Sequence, residues 1–360
     1  MATQPGHPID ARSRVPQLDG VRGIAILLVM LVNTSEKYPV LHLQRFVADG
    51  WMGVDLFFAL SGFLITRILL DSRQSLDYFK NFYGRRVLRI LPLYYVVLIF
   101  MFVVVPLLLP GQARSIFERA APWWSFPLFL QNFLVAQSTL AVGPLGASWS
   151  LAIEEQFYLL WPLVVRHSPI KSLRVIASLL ILFSPPLTWY LSSQHVYIYS
   201  SVFCRQVGLM AGALLAVLLH SGDFAPRKYL KSAWIAFLIT LTLTFISEAL
   251  GTRWLTFSFV ALAATLFIFL ALHSQQKWLQ AVLRNRLLMY TGTISYGLYL
   301  LHKIPADFVQ AVHLDRYPAL ILPFIFFASY VLAALSWNLL EKPFLSLKRF
   351  FPATASPERQ

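Results

Sequence analysis

Charged and polar side chains stand at helical spacing in the apolar stretch VRGIAILLVMLVNTS, residues 21–35. Arg22 lies near its start and Asn33 lies eleven residues later. Eleven residues make roughly three turns of helix, so the two side chains share one face about 16 Å apart along the axis. A cation and an amide on one stripe predict the lining of a polar passage. The alternative is an arginine that reaches the lipid headgroups and an asparagine at a helix end.

A run of three arginines opens another apolar stretch, YGRRVLRILPLYY, at Arg85, Arg86 and Arg89. Arg86 and Arg89 are three residues apart and therefore share a helix face. Guanidinium groups bind phosphate oxygens through paired hydrogen bonds. We therefore predict that the three arginines bind a phosphorylated ligand. The alternative is that they only anchor the helix at the cytoplasmic membrane face.

Acidic residues and a histidine also lie in apolar stretches, where ionisable groups are costly and usually functional. SWSLAIEEQFYLLWP carries Glu154 and Glu155, which point about 100° apart, so only one can face a cavity, and we favour Glu154. MGVDLFFALSGFLITRILL contains Asp55 and Ser61 as candidate site-lining residues, although Asp55 could instead pair with an arginine for structure. SYGLYLLHKIP ends with His302, a candidate catalytic group or a hydrogen-bonded structural one.

The composition is that of a membrane protein that crosses the bilayer many times. Of the 360 residues, 58% are hydrophobic and only 13% are charged, against about a quarter in soluble domains. The net charge of +14 could suggest nucleic acid. However, the basic residues lie in short loops between apolar segments, so we predict lipid as their partner and no nucleic acid. The single cysteine, Cys204, excludes an intramolecular disulfide, and we expect no metal site.

Ten apolar segments have about the length of a membrane span, and they predict an all-α polytopic integral membrane helical bundle. Their predicted limits are 20–36, 52–70, 88–109, 148–166, 172–192, 205–220, 232–249, 255–273, 288–304 and 319–340. The short apolar stretch at 123–136 is interpreted as an interfacial or re-entrant segment. We expect one transmembrane domain at 1–345 and a disordered cytoplasmic tail at 346–360.

The distribution of positive charge predicts the orientation. With ten spans and both termini in the cytoplasm, the inner segments hold 21 of the 30 Lys and Arg residues and the outer segments hold eight, Arg205 among them. Cytoplasmic loops are normally the more positive ones. NLLEKPF closes the last span with Glu341 and Lys342, which we interpret as a surface pair or a pair related to the helix dipole. The polar N-terminus shows no cleavable signal peptide, so the first apolar helix is expected to direct membrane insertion.

Six phrases occur in one order between about residues 17 and 345: LDGVRGIAILLVML, GVDLFFALSGFLI, FYGRRVLRILPLYY, SWSLAIEEQFYLLWP, SYGLYLLH and EKPF. Together they resemble the membrane acyltransferase-3 family of carbohydrate O-acyltransferases. The resemblance implies a ten-helix bundle in a bacterial inner membrane. It also implies transfer of an acyl group, commonly acetyl, from cytoplasmic acyl-coenzyme A to a hydroxyl of a glycan, glycolipid or natural product. Acyl-coenzyme A would be a co-substrate, with no permanently bound cofactor. Some relatives carry an additional SGNH-type domain, which we do not expect in this chain.

The chain departs from the motif of the family's first helix, an arginine followed after ten residues by a histidine. Arg22 matches the arginine, but Asn33 stands at the histidine position. A histidine can accept the proton of an attacking hydroxyl, whereas an amide can only orient groups by hydrogen bonds. Either another group is the base or activity is low or lost. The candidates for that base are Glu154, Asp55, His302 and His42.

The mechanism that we expect is direct acyl transfer inside the bundle. Arg85, Arg86 and Arg89 would bind the coenzyme A phosphates. Arg22 would hold the pantetheine end or polarise the thioester carbonyl, and the acceptor hydroxyl would arrive near Asn33. A second hypothesis is a catalytically impaired relative that acts as a membrane binding or transport protein. A third, an ordinary secondary transporter, is disfavoured because no inverted repeat is visible.

Overall fold

A computed structural model of the chain describes residues 15–38, 47–111, 117, 120–137, 145–222, 224–311 and 316–352, and these residues contain no β-strand. The α-helices are α1 (Pro16–Lys37), α2 (Met52–Asp71), α3 (Tyr78–Ile99), α4 (Val105–Leu108), α5 (Gln131–Gln137), α6 (Ser148–His167), α7 (Ile170–Ser193), α8 (Val202–His220), α9 (Leu230–Ala249), α10 (Arg253–His273), α11 (Lys277–Leu283), α12 (Arg286–Thr293), α13 (Ser295–Leu301), α14 (Lys303–Ala311), α15 (Pro318–Ser336) and α16 (Lys342–Ser346). The 3₁₀ turns are Ala48–Trp51, Trp123–Ser125, Pro226–Tyr229 and Leu347–Phe350, and π-helical turns at Phe100–Val104 and Trp337–Glu341 continue α3 and α15.

The prediction of an all-α polytopic membrane protein is confirmed. Eight helices of the described part of the chain are long and apolar enough to cross a membrane, against ten predicted spans. The predicted span 148–166 forms the continuous helix α6, whose apolar sequence is interrupted by two glutamates. The predicted span 288–304 is broken into α12, α13 and α14. Its sequence TGTISYG is rich in poor helix formers, which explains the break.

The central helices differ from the peripheral ones in burial. In the most apolar 18-residue stretch of α1, α2 and α8, about two-thirds or more of the residues are buried. The corresponding fraction is 17% for α7 and for the helix that contains α9. The central helices approach closely through small residues, as is usual for membrane bundles. A Cβ atom on Gly62 would lie 1.9 Å from the carbonyl oxygen of Leu209, and one on Gly292 would lie 1.8 Å from that of Asp19. Glycine is therefore required where α2 meets α8 and where α12 meets α1.

Contacts between loops agree with the predicted grouping of the loops into two sides. Segments predicted to be cytoplasmic meet one another: Arg73 Nη2 donates to the Ser168 carbonyl at 2.5 Å. Segments predicted to be external also meet: Lys37 pairs with Asp307, and the Tyr197 amide donates to the Ala136 carbonyl at 2.8 Å. In each of these contacts, both partners belong to segments that were predicted to lie on the same side of the membrane.

Two segments outside the spans are ordered by packing. The stretch 123–136 forms a 3₁₀ turn and the short helix α5, too short to cross a membrane, and Tyr94 donates a hydrogen bond of 2.9 Å to the Phe126 carbonyl. The predicted disorder of 346–360 is wrong for its first residues. Residues 347–350 form a 3₁₀ turn, and the Phe351 ring lies against Gly84 of α3. Residues 353–360 lie outside the described part.

Candidate active site

A cavity of about 140 Å³ lies between α1, α2, α3, α6 and α13. Five of the predicted site residues line it: Arg22, Ser61, Arg86, Arg89 and Glu154. They come from four different helices, so tertiary packing alone brings them together. The cavity joins the arginine of the first helix to two arginines of the predicted cytoplasmic cluster, which is the arrangement that a polar passage requires.

Glu154 lines the cavity, and both of its carboxylate oxygens accept hydrogen bonds. Ser61 Oγ donates to Oε1 at 2.9 Å, and Tyr158 Oη donates to Oε2 at 3.1 Å. Ser150 also lines the cavity, so α6 presents the residues at 150, 154 and 158 on one face, one turn apart. Glu155 does not line the cavity, and its Oε1 is buried without a hydrogen-bond partner. The preference for Glu154 over Glu155 therefore agrees with the geometry.

Two of the three cavity arginines have acidic partners. Arg22 Nη1 lies 2.8 Å from Asp19 Oδ1 on the same helix, and Arg89 Nη1 lies 3.9 Å from Glu341 Oε2. The side chain of Arg22 lines the cavity and is 32% exposed, so it is not sealed in the core. Glu341 is only 2% exposed, so the expected surface pair with Lys342 is wrong. Glu341 instead carries the charge that neutralises Arg89.

Arg86 is the cavity arginine with unused hydrogen-bonding capacity. Its guanidinium carbon lies 5.6 Å from the centre of the Tyr158 ring and 5.8 Å from that of Phe82. Its Nε is buried and has no hydrogen-bond partner among the described residues. Because aromatic rings lie beside the guanidinium group, its edge is the surface that can donate hydrogen bonds to an anion.

The end of the cavity away from these arginines is lined by hydroxyl groups and aromatic rings. Ser150 Oγ and Tyr299 Oη are hydrogen-bonded to each other, and Phe57 and Phe58 lie beside them in the lining. From Ser150 to Tyr158 the cavity follows α6 for about 12 Å. One end thus offers cations and the other offers hydroxyl groups and ring faces.

Three predicted site residues lie elsewhere. Arg85 faces the C-terminal segment, where its Nη1 donates to the Phe351 carbonyl at 2.9 Å. Asn33 is half-buried and donates its amide to the Val29 carbonyl at 2.8 Å, and α1 contributes only Arg22 to the lining. His302 is buried, with Nδ1 2.9 Å from the Tyr299 carbonyl. Each of these side chains meets a backbone carbonyl instead: that of the C-terminal segment for Arg85, and that of the preceding turn of its own helix for Asn33 and His302. His42 lies outside the described residues.

Asp55 forms an ion pair away from the cavity lining. Arg205 Nη2 lies 2.9 Å from Asp55 Oδ2, and both side chains are fully buried. The guanidinium carbon of Arg205 lies 4.3–5.8 Å from the centres of five aromatic rings. The structural interpretation of Asp55 is therefore the one that the geometry supports. Arg205, which was assigned to an external segment, lies instead inside α8.

Sequence analysis missed several residues of the site. Tyr158 and Ser150 could have been found from their spacing of four residues on either side of Glu154. Tyr299 and Glu341 carried no such signal, because the break between α12 and α13 and the π-helical turn after α15 decide where they point. Short-range periodicity cannot predict such interruptions.

Comparison with known proteins identifies relatives of the whole bundle. A model of the acyltransferase-3 family, described as an acyltransferase domain, matches residues 15–340. The chain is 28% identical over 364 residues to the peptidoglycan O-acetyltransferase OatA of Listeria monocytogenes, covering 92% of this chain and 56% of that protein. It is 30% identical over 368 residues to the putative peptidoglycan O-acetyltransferase YrhL of Bacillus subtilis, covering 94% of this chain and 56% of that protein.

A putative O-acetyltransferase of Staphylococcus aureus is 28% identical over 360 residues, covering 92% of this chain and 57% of that protein. The chain thus spans about half the length of the curated relatives that it matches. No solved structure matches it. Because the family model covers most of the bundle, including every helix that lines the cavity, the chain belongs to the acyltransferase-3 family of membrane acyltransferases.

Proposed function

We propose that this protein transfers an acyl group, commonly acetyl, from acyl-coenzyme A to a hydroxyl group of a glycan. The observation that supports it most is a cavity lined by Glu154 together with Arg86, Arg89 and the hydroxyl-bearing residues Ser150 and Tyr299. Peptidoglycan is the acceptor named for two relatives, so it is the first glycan to test. The site of action would be the inner membrane of a bacterium.

In the proposed reaction, the acceptor oxygen attacks the thioester carbonyl carbon directly. A carbon–oxygen bond forms, the carbon–sulfur bond breaks, and coenzyme A leaves as the thiolate. Glu154 accepts the hydroxyl proton, while Ser61 and Tyr158 fix the orientation of its carboxylate. General-base help of this kind contributes about 10²–10⁴-fold to the rate.

The cavity arginines have separate roles in this proposal. Arg22 stabilises the negative charge that develops on the carbonyl oxygen, since a fixed cation near a developing oxyanion lowers the barrier. Arg86 and Arg89 bind the donor phosphates at the cytoplasmic end. Arg85 contributes indirectly, because its hydrogen bond to the Phe351 carbonyl positions the C-terminal segment.

A second candidate function, a binding protein without turnover, is favoured by one observation. Asn33 occupies the position of the family's histidine, and its amide is engaged with the Val29 carbonyl. Turnover of acetyl-coenzyme A by the purified protein separates the two functions. The assay uses lipid nanodiscs and a panel of glycans that includes peptidoglycan fragments, and it detects both free thiol and acylated glycan. Acylated glycan supports the enzyme; binding of donor without thiol release or product supports the binding protein.

A further inference from the structure

A second cavity, of about 410 Å³, lies at the start of α9. One of its walls is formed by the 3₁₀ turn Pro226–Tyr229 and the first residues of α9, and the other by the non-helical residues 274–276 between α10 and α11. It shares no lining residue with the cavity that contains Glu154. The proposed acyl transfer therefore gives this second cavity no role.

The charged groups that line the second cavity are basic. Arg227 and Lys231 are its ionisable lining residues, and none of the described residues of the lining is acidic. Both side chains are exposed, and neither forms a salt bridge within the described part of the chain. On the opposite wall, Gln275 and Gln276 carry side-chain amides that can donate further hydrogen bonds. Two unpaired cations and neighbouring amide donors favour an anion with several oxygen acceptors, such as a phosphate group.

The position of the cavity favours a lipid as the carrier of that phosphate. Only 17% of the most apolar stretch of the helix that contains α9 is buried, so most of this helix faces its surroundings, which in a membrane are acyl chains. Trp234 lines the cavity, its ring lies 5.9 Å from that of Trp278, and Trp278 is 58% exposed. Tryptophan is enriched at the boundary between acyl chains and headgroups.

The predicted orientation favours an anionic lipid in particular. Both walls belong to segments that the distribution of Lys and Arg predicts to be cytoplasmic. Anionic phospholipids give the cytoplasmic leaflet a negative surface potential that attracts basic residues near the membrane. Arg227, Lys231 and Trp234 follow one another at spacings of four and three residues, so a single stripe offers two cations and then an aromatic ring. A phospholipid presents its groups in the same order, with the phosphate outside and the acyl chains inside.

We propose that this cavity binds the headgroup of an anionic phospholipid, phosphatidylglycerol being the simplest example. Arg227 and Lys231 bind its phosphate, Trp234 packs against its glycerol region, and its acyl chains lie along α9. A soluble phosphate compound shares the phosphate chemistry but gains nothing from the apolar outer surface of α9. The inference is independent of the proposed function, because no residue of the candidate active site takes part in it.

The test uses the full chain in phosphatidylcholine nanodiscs with increasing fractions of phosphatidylglycerol, and native mass spectrometry counts the phosphatidylglycerol that stays bound. The variant is Arg227→Ala with Lys231→Ala. The matched control is Lys228→Ala with Lys277→Ala, which removes two exposed cations from the same two segments without changing the cavity lining. We expect the variant to bind phosphatidylglycerol about 30-fold more weakly, roughly fivefold for each cation, and the control to bind it like the unmodified protein. Exchanging the two cations, with Arg227→Lys and Lys231→Arg, should keep most of the affinity.

Two results would overturn the site itself. One is a variant that binds phosphatidylglycerol as tightly as the unmodified protein. The other is an equal loss in variant and control, because binding would then follow the overall charge of this face. A further arm adds glycerol phosphate, which carries the headgroup phosphate without acyl chains. We expect it to leave phosphatidylglycerol bound; if it displaces the lipid at comparable concentration, the cavity takes a soluble phosphate compound and the assignment to lipid is overturned.

Discussion

The buried pair of Asp55 and Arg205 allows a prediction with a calculable size. Removing Asp55 by substitution with Ala leaves the Arg205 guanidinium fully buried and without its charge partner. Breaking such a pair costs about 3–5 kcal/mol, because the remaining charge cannot reach water. The five rings around Arg205 stabilise the unpaired cation better than an aliphatic interior would, by roughly 0.5–2 kcal/mol for each cation–π contact, which places the cost at the lower end of that range. We therefore expect Asp55→Ala to lower the free energy of unfolding by about 3 kcal/mol.

Replacing both partners should behave differently. Asp55 Oδ1 and two nitrogens of Arg205, Nε and Nη1, have no hydrogen-bond partner among the described residues, so the pair is only partly satisfied. An incompletely satisfied buried ion pair is often no more stable than apolar residues of similar volume. The double variant Asp55→Leu with Arg205→Met should therefore recover most of the loss.

Unfolding in mixed micelles, followed by tryptophan fluorescence, measures these differences. Trp51 and Trp149 lie over Arg205 and report directly on the pair. Asp55→Asn serves as the control that keeps the shape and removes the charge. The reasoning is refuted if Asp55→Ala unfolds within about 1 kcal/mol of the unmodified protein, or if the double variant is as unstable as the single one.

Three further predictions follow from the cavity and from helix packing. Replacing Arg86 and Arg89 together by Ala should raise the Kd for coenzyme A about 100-fold or more in calorimetry, since two charge-assisted contacts are lost; unchanged binding would remove their role. Asn33→His should change the transfer rate by less than about tenfold in the turnover assay, because position 33 lies outside the described cavity lining. A rate gain of about 10²–10⁴-fold, the size of general-base help, would instead show that the residue at position 33 accepts the proton. Gly62→Val should lower the yield of folded protein in size-exclusion chromatography, because a Cβ there meets backbone at 1.9 Å; Gly111→Ala, which has nothing within 4 Å, should not.

Much of the fold could be predicted because the bilayer imposes simple rules on sequence. Long apolar segments must form helices in lipid, and the placement of Lys and Arg orients them. The exceptions have local causes. Glu154 and Glu155 lower the apolar character of α6, and the run TGTISYG breaks the predicted span 288–304. The turn at residues 347–350 was not predicted, because the contact between Phe351 and Gly84 beside it is tertiary.

The candidate site was only partly predictable, for a related reason. Arg86 and Arg89 share a helix face by spacing alone, and both line the cavity. Arg85 lies one residue away and points elsewhere, as the helical repeat requires. Asn33 and His302 satisfied the same kind of pattern, yet their side chains bond to backbone carbonyls. Residue type and spacing indicate a face of a helix, but only packing shows what that face meets.

Glu154 is the residue on which the proposed chemistry depends most. Substitution by Gln keeps the size of the side chain and can still accept a hydrogen bond from Ser61 or Tyr158, but it removes the carboxylate that takes the proton. The measurement is single-turnover transfer of labelled acetyl from acetyl-coenzyme A to peptidoglycan fragments, with the Kd of coenzyme A determined in parallel. We predict a transfer rate lower by about 10²–10⁴-fold, with the Kd changed less than about threefold. A Glu154→Gln protein that transfers acetyl as fast as the unmodified chain would contradict the account.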